Sequence, residues 1–377
     1  NKEAFDLLNL NYPGLEKVKD ACNNGNMEDA TRFLLDYYRM RKGVVNPAVD
    51  LKNISVSKTD QQWADDALKH TFFAHKGYLP AYNYGEDINW QYWPVKDNEL
   101  RWQLHRHKWF TPMGKVYQIT KDEKYAKEWI YQYLDWIKKN PLKQISLDAY
   151  EIYDLEGVAG IAENVRFAWR PLETSHRLQD QINQFTLFVE SPSFTPSFLT
   201  EFLVNYRRHA DHILHNYSKE GNHLLFEAQR MLYAGAFFPE FKEAATWRKS
   251  GIDILNREIK KQIYDDGGQY ELDLGYHVGC IEIFNKALLM ADANGFRNEF
   301  PESYVATIKK MIDFSMNLRF PDYSSPCFSD ARQGSRQAEI NNFKKWSEQF
   351  PDDESLRYFA TQGEEGKLPQ YLSKGFA

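Results

Sequence analysis

Cysteine is scarce: 377 residues hold three, Cys22, Cys280 and Cys327. An odd count excludes a complete disulfide framework, and these spacings match no zinc or iron–sulfur pattern. No stretch approaches the ~18 consecutive apolar residues of a membrane-spanning helix. Long basic runs are missing too, with 47 basic against 53 acidic residues and a formal net charge of −6, which speaks against a nucleic-acid partner. An anionic partner is not thereby excluded, because net charge governs long-range encounter and not the local potential of a cleft. No self-similar period of ~34 or ~42 residues is visible, which disfavours tetratricopeptide and HEAT arrays. The chain opens Asn1-Lys2-Glu3 without an initiator Met or a leader. A mature or trimmed chain is expected to look so, and export is not argued against.

Aromatic residues are plentiful, at 15% of the chain with 10 Trp, 23 Tyr and 25 Phe. Most serve bulky helix packing; a minority is available to line a cleft, where rings suit the flat C–H faces of sugars. The dominant pattern is helical. Apolar residues recur at three and four from Met27 to Arg41, Thr120 and Glu123 have capping-box spacing before a helix through Trp136, and similar periodicity predicts helices over 98–117, 195–217, 222–236, 239–263, 272–293, 303–318 and 337–349. Strand signals are few and short. The segment 148–166 reads as a long loop or broken helix. Helices of this number and length predict an all-α, α/α architecture over residues 1–360. Periodicity then fades, and 361–377 reads as a linker toward a further domain.

Four segments carry residues suited to chemistry. In Glu220-Gly-Asn-His-Leu-Leu-Phe-Glu-Ala-Gln-Arg230, a Gly and an Asn precede an apolar run, marking a helix start whose free N–H groups favour anions. Asn222 and His223 sit where a carboxylate would be held, with Glu227 and Arg230 at helical spacing behind them; the plain alternative is an ordinary helix start with a surface His. In Gln269 to Val278, Tyr276 and His277 follow Gly275 at another helix start, and a tyrosine beside cationic groups can serve as acid or base; the plain alternative is two anchoring rings. Between Asn89 and His107, Arg101, His105 and Arg106 alternate with Trp residues, a pattern fit for carboxylated or sulfated sugars because guanidinium groups bind such oxyanions bidentately, or for a Trp-rich buried face. In Phe167 to Arg177, Arg170 and Arg177 flank a possible helix start at Glu173, to contact substrate or to pair with acids.

Taken together these segments closely resemble the heparinase III group of polysaccharide lyases. The matching pieces are HKGY at His75–Tyr78, DINWQYWPVKDNELRWQLHR at Asp87–Arg106, WRPLE at Trp169–Glu173, GNHLLFEAQR at Gly221–Arg230 and FPEF at Phe238–Phe241, in that order and over nearly the whole chain. The resemblance implies an incomplete α/α toroid of antiparallel helix pairs, followed in the family by a β-sandwich-like domain that this chain does not reach. It implies cleavage of heparan sulfate by β-elimination at a uronic acid, without metal or cofactor, by a periplasmic or secreted protein. It also assigns roles. The family's carboxylate-neutralising Asn falls on Asn222 and its proton-transferring Tyr on Tyr276, while a further catalytic His belongs to the second domain, which would leave this chain alone nearly inactive. Arg101, His105, Arg106, Arg170, His223, Glu227 and Arg230 are the expected substrate-binding residues.

Two rivals remain. An α/α-barrel unsaturated glucuronyl hydrolase needs two carboxylates across a scissile bond, for which Asp265, Asp266, Glu271 and Asp273 are candidates. A non-catalytic glycan-binding helical module needs none.

Overall fold

The computed structural model describes residues 2–72, 81–142, 164–327 and 332–368. Among them strands are confined to Thr71–Phe72 and Tyr82–Asn83, one antiparallel pair; all other regular structure is helical, as the periodicity predicts. The chain divides into two compact units, 1–252 with 289–297, and 253–288 with 298–377.

The first unit begins with α1 (Glu3–Leu7), α2 (Glu16–Asn23) and α3 (Met27–Met40). In α3 the side chain of Asn26 accepts from the Asp29 N–H, two acids occupy the first turn, and Ala30, Leu34, Leu35 and Tyr38 make the buried stripe, the arrangement that stabilises an amphipathic helix. Helix α4 (Lys58–Ala67) has a full capping box, Ser57 with Asp60, a signal overlooked in the sequence. The single helix expected over 98–117 is two, α5 (Asn98–Leu104) and α6 (Phe110–Thr120). His105, Arg106 and His107 are all buried and His107 has φ +54°. The left-handed conformation of His107 ends the right-handed helical path between α5 and α6. Helix α7 (Glu123–Lys139) is capped by Asp122; Thr120 instead donates to the Val116 carbonyl, so the expected capping box is absent.

Helix α8 (Pro171–Phe188), foreseen only as a possible start, is buried on almost every side. A helix enclosed all round loses the one-sided pattern that reveals a helix in sequence. Around it pack α9 (Pro196–His215) and α10 (Gly221–Phe237). The core is aromatic: Trp129 stacks on Phe188 at 4.4 Å, and Phe185 meets Tyr38, Phe194 and Phe238 edge-on, geometries worth ~0.5–1.5 kcal/mol each beyond burial. Helix α11 (Ala244–Gln262) crosses α10 very closely. A Cβ on Gly235 would fall 2.3 Å from the Ala244 carbonyl oxygen, and one on Gly251 2.4 Å from that of Ala228.

The second unit contains the C-terminal part of α11, most of α12 (Leu274–Ala293), α13 (Glu302–Asn317), α14 (Arg336–Gln349) and α15 (Glu354–Ala360). Tyr304 donates to the Phe284 carbonyl at 2.8 Å and Tyr323 to that of Phe359 at 2.7 Å. The Asp265–Gly268 turn requires glycine: Gly267 has φ +94°, and a Cβ there would fall 2.3 Å from the Lys310 carbonyl oxygen. All three cysteines are free thiols. HKGY and most of 148–166 lie outside the described residues; 164–168 form one π-helical turn.

Candidate functional site

The candidate residues of the first unit gather where α8 begins. Pro171 opens the helix at a position that needs no N–H, and Glu173 lies fully buried in its first turn. Its Oε1 accepts from Arg106 Nη2 at 2.8 Å and from Arg170 Nη2 at 2.9 Å, and Oε2 accepts from Arg170 Nε. Burial alone would raise this carboxyl, but the bond and charge of Arg170, then of Arg106, hold it below the ordinary value. Removing one member of such a group leaves a buried charge uncompensated. Arg170 lies 3.7 Å over the Trp102 ring, and Arg101 is held between Phe167 at 3.7 Å and Trp93 at 4.4 Å. Burial, then the charge of Arg166, lowers Arg101 to about 10.

Arg230 is buried on α10, with Nε donating to Gln179 at 3.0 Å and Nη1 to Ser175 at 3.1 Å. Three of the four arginines that the sequence offered as contacts to sugar, Arg106, Arg170 and Arg230, are thus buried and hydrogen-bonded to protein side chains. Two other expected contacts are corrected outright. His105 is 1% exposed, and its Nδ1 accepts from the Trp136 indole at 3.1 Å. Burial, then Arg177, pushes it well below the ordinary imidazole value, so it is a neutral core residue without surface for a sugar. Glu227 is 0% exposed and accepts from the Ser218 N–H and hydroxyl, both at 2.7 Å. Burial first, opposed by those two bonds and reinforced by Glu173, pushes it up to about 7. Arg177 reaches inward, to His209 at 2.9 Å and the His105 carbonyl at 3.1 Å, and not to substrate.

Asn222 and His223 are exposed at the N-terminus of α10. Asn222 is not the cap as expected: Glu220 occupies that position, without a side-chain capping bond, and Asn222 is the second residue of the helix. Gly221 makes the entry with φ +75°, which glycine adopts without steric cost. The first N–H groups of a helix have no partner within it, and at the start of α10 they lie beside the Asn222 amide, the arrangement that stabilises an anion. The arginine group is electrostatically near, since Arg170 and Arg106 both lower His223, after burial.

In the second unit Tyr276, third residue of α12, is 47% exposed. Asp273 accepts from the Gly275 and Tyr276 N–H groups at 2.8 and 3.0 Å. His277 is buried, its Nε2 bonded to the Met311 carbonyl at 2.8 Å and its Nδ1 accepting from the Gln269 N–H at 3.2 Å. Gln269, Leu272, Asp273, Leu274, His277 and Phe314 help line a cavity of about 460 Å³ there. Three of the four carboxylates offered for a hydrolase take part in this local structure: Asp273 through Oδ1 at the helix start, Asp266 at the Gly268 N–H, Glu271 at the Gln269 amide. Sequence reasoning found Glu173 only as a helix start, though an acid three residues after Arg170 is the visible trace of the pair. Ser218 was missed, and nothing in helical spacing points to it.

A family model described as "Heparinase II/III N-terminus" matches residues 4–358, and the chain belongs to that family. It is 63% identical to a heparin-sulfate lyase of Bacteroides stercoris over 99% of this chain and 56% of the relative, and 46% identical to the heparin-sulfate lyase of Pedobacter heparinus over 100% and 55%. The solved structure of a heparinase III with methylated lysines aligns with a TM-score of 0.90 at 66% identity, covering 98% of this chain and 57% of that one. The crystal structure of the Pedobacter heparinus heparan sulfate lyase aligns at 0.85 and 46%, covering 98% and 56%. The chain spans about half the length of the curated relatives it matches.

Proposed function

We propose that this chain carries the helical part of a polysaccharide lyase that cleaves heparan sulfate, or a related uronate-containing glycosaminoglycan, by β-elimination. The observation that carries the reading is its 63% identity, along its whole length, to a heparin-sulfate lyase. The exposed Asn222 and Tyr276 supply side chains of the right type.

The C5 proton of a uronate is a poor acid while the adjacent carboxylate is fully charged. The Asn222 amide, with the first N–H groups of α10, stabilises that carboxylate and the enolate-like charge that gathers on it as the C5–H bond breaks. Tyr276, as tyrosinate, takes the C5 proton. The electron pair then forms the C4–C5 double bond and expels the 4-linked oxygen, which receives a proton in turn. A complex with a bound oligosaccharide tests the roles given to Asn222 and Tyr276. Arg101 and His223, the least enclosed of the expected contacts, are its remaining sugar-binding candidates. It includes a periplasmic or secreted location, where such polymers are met; cell fractionation that finds the chain in the cytoplasm refutes that part.

Digestion of heparan sulfate followed by ultraviolet absorbance is the direct test. A lyase generates a conjugated unsaturated uronate and rising absorbance. New reducing ends without absorbance mark a hydrolase, and binding without product marks a glycan-binding module; either overturns the proposal.

A further inference from the structure

Asn222 stands near the middle of a stretch closed at its base. Ser218, nine residues before Glu227 in sequence, donates both its N–H and its hydroxyl to the two oxygens of that carboxylate, at 2.7 Å each. The neighbouring Tyr217 hydroxyl is tied to Ser250 at 2.9 Å. From Ser218 the chain passes through Lys219 and Glu220, turns at Gly221 with its positive φ, and presents Asn222 and His223 to solvent before α10 carries it back to Glu227. Glu220 makes no capping bond from its side chain, so the entry to α10 lacks the fixation an Asp or Ser cap gives. A tie comes from the second turn, through a carboxylate with no exposed surface.

We propose that Glu227, acting with Ser218, is the positioning pair for Asn222, holding the turn that presents the amide without itself touching substrate or exchanging a proton with it. This rests on the role given to Asn222 under the proposed function. Three observations favour positioning over direct contact. Glu227 is 0% exposed, so no sugar reaches it. Both its oxygens are occupied by a residue of the same turn. Finally, the bond pattern tolerates either charge state: Ser218 Oγ donates to a carboxylate and can accept from a carboxylic acid, while the Ser218 N–H keeps an acceptor in both. The charged groups that bear on Glu227 are Glu173 from α8 and Arg230 from α10. Neither disrupts the Ser218 bonds. An amide in place of the carboxyl can reproduce the pattern, accepting from the Ser218 N–H and donating to its hydroxyl.

The test joins kinetics to hydrogen exchange, in the lyase-active protein. Glu227→Ala should lower kcat on heparan sulfate about 10²-fold with KM little changed, since small misplacement of a positioned group costs that much. Ser218→Ala should lower it less, because the backbone N–H bond survives, and it guards against misfolding of the alanine variant at 227. Glu227→Gln should retain most of the turnover and leave the pH profile of kcat unmoved. Amide exchange over residues 219–223 should quicken at least tenfold in Glu227→Ala and stay slow in Glu227→Gln. Unchanged kcat and unchanged exchange in both Glu227→Ala and Ser218→Ala overturn the proposal. So does a Glu227→Gln variant that loses a limb of the pH profile, because Glu227 would then be an acid or base itself. If Asn222→Ala turns over like the parent protein, the functional reading fails, and the exchange data still decide whether Glu227 holds the turn.

Discussion

Two helix starts carry the two residues to which the chemistry is assigned, and they are built differently. At α12 an ordinary cap, Asp273, bonds the N–H groups of Gly275 and Tyr276, so the helix start is satisfied and the phenol stands out from a finished turn. At α10 the residue in the cap position, Glu220, makes no side-chain capping bond, and the turn is tied from beneath by Glu227. A satisfied start suits a residue that moves a proton, because what is needed is a fixed ring. A start of the second kind suits a residue that steadies an anion, because the first N–H groups of the helix add to its amide.

The comparison breaks most visibly at Tyr276. Tyr276→Phe keeps the ring and the cap and removes the proton carrier, so elimination should fall about 10³-fold or more while affinity for heparan sulfate measured by calorimetry stays the same. Full activity would remove Tyr276 from the mechanism. Next in size is Glu173→Ala, which leaves Arg106 and Arg170 buried without their partner. It should cost about 3–5 kcal/mol in urea unfolding, and a loss below about 1 kcal/mol would mean that water or another acid serves the arginines. Asn222→Ala should remove about 2.7–4 kcal/mol of transition-state stabilisation, seen in kcat more than in KM because the charge grows toward the transition state. An effect confined to KM would make Asn222 a binding residue only.

A pH prediction follows from the core beneath the α10 side. His212 is buried and lowered to about 4, by burial first, against an ordinary 6.5. The unfolded imidazole takes up its proton near 6.5 and the folded one resists, so this contribution is present above 6.5. Roughly 3 kcal/mol of it is lost as pH falls toward 4. His212→Gln should flatten the acid side of a stability-against-pH curve, and an unaltered curve argues against the buried neutral form. The smallest effect belongs to the conventional cap. Asp273→Ala should cost about 1 kcal/mol and loosen Tyr276, lowering kcat less than Tyr276→Phe does.

Much of this was legible in the sequence, for reasons tied to particular residues. The helices from Pro196 to Gln349 appear within a few residues of their expected bounds, α11 beginning latest, at Ala244 and not at Pro239. Helix α8 was obscured because polar residues such as Glu173, Ser175, Arg177 and Gln181 are buried beside apolar ones, which removes the contrast that periodicity needs. The break at His105–Trp109 falls on four consecutive polar residues, His105 to Lys108, a pause in the apolar rhythm short enough for a helix to span. Among candidate site residues, Asn222 and Tyr276 could be named from motif and position, and both prove exposed. His105 and Glu227 misled because spacing gives the face of a helix but not what covers it. Ser218 left no trace, since its partner lies beyond any local repeat.

The reciprocal glycines of α10 and α11 carry a consequence for how this sequence can vary. At Gly235 and Gly251 a single methyl would collide with a backbone carbonyl of the opposite helix, an obstacle that no rotamer change relieves. Each glycine weakens its own helix by roughly 0.5–1 kcal/mol relative to Ala, yet a saturation library at either position should return glycine alone. Drift along α10 is thereby confined to its other faces, and the helix that presents Asn222 is held at one axial distance from its neighbour whatever else in the family diverges.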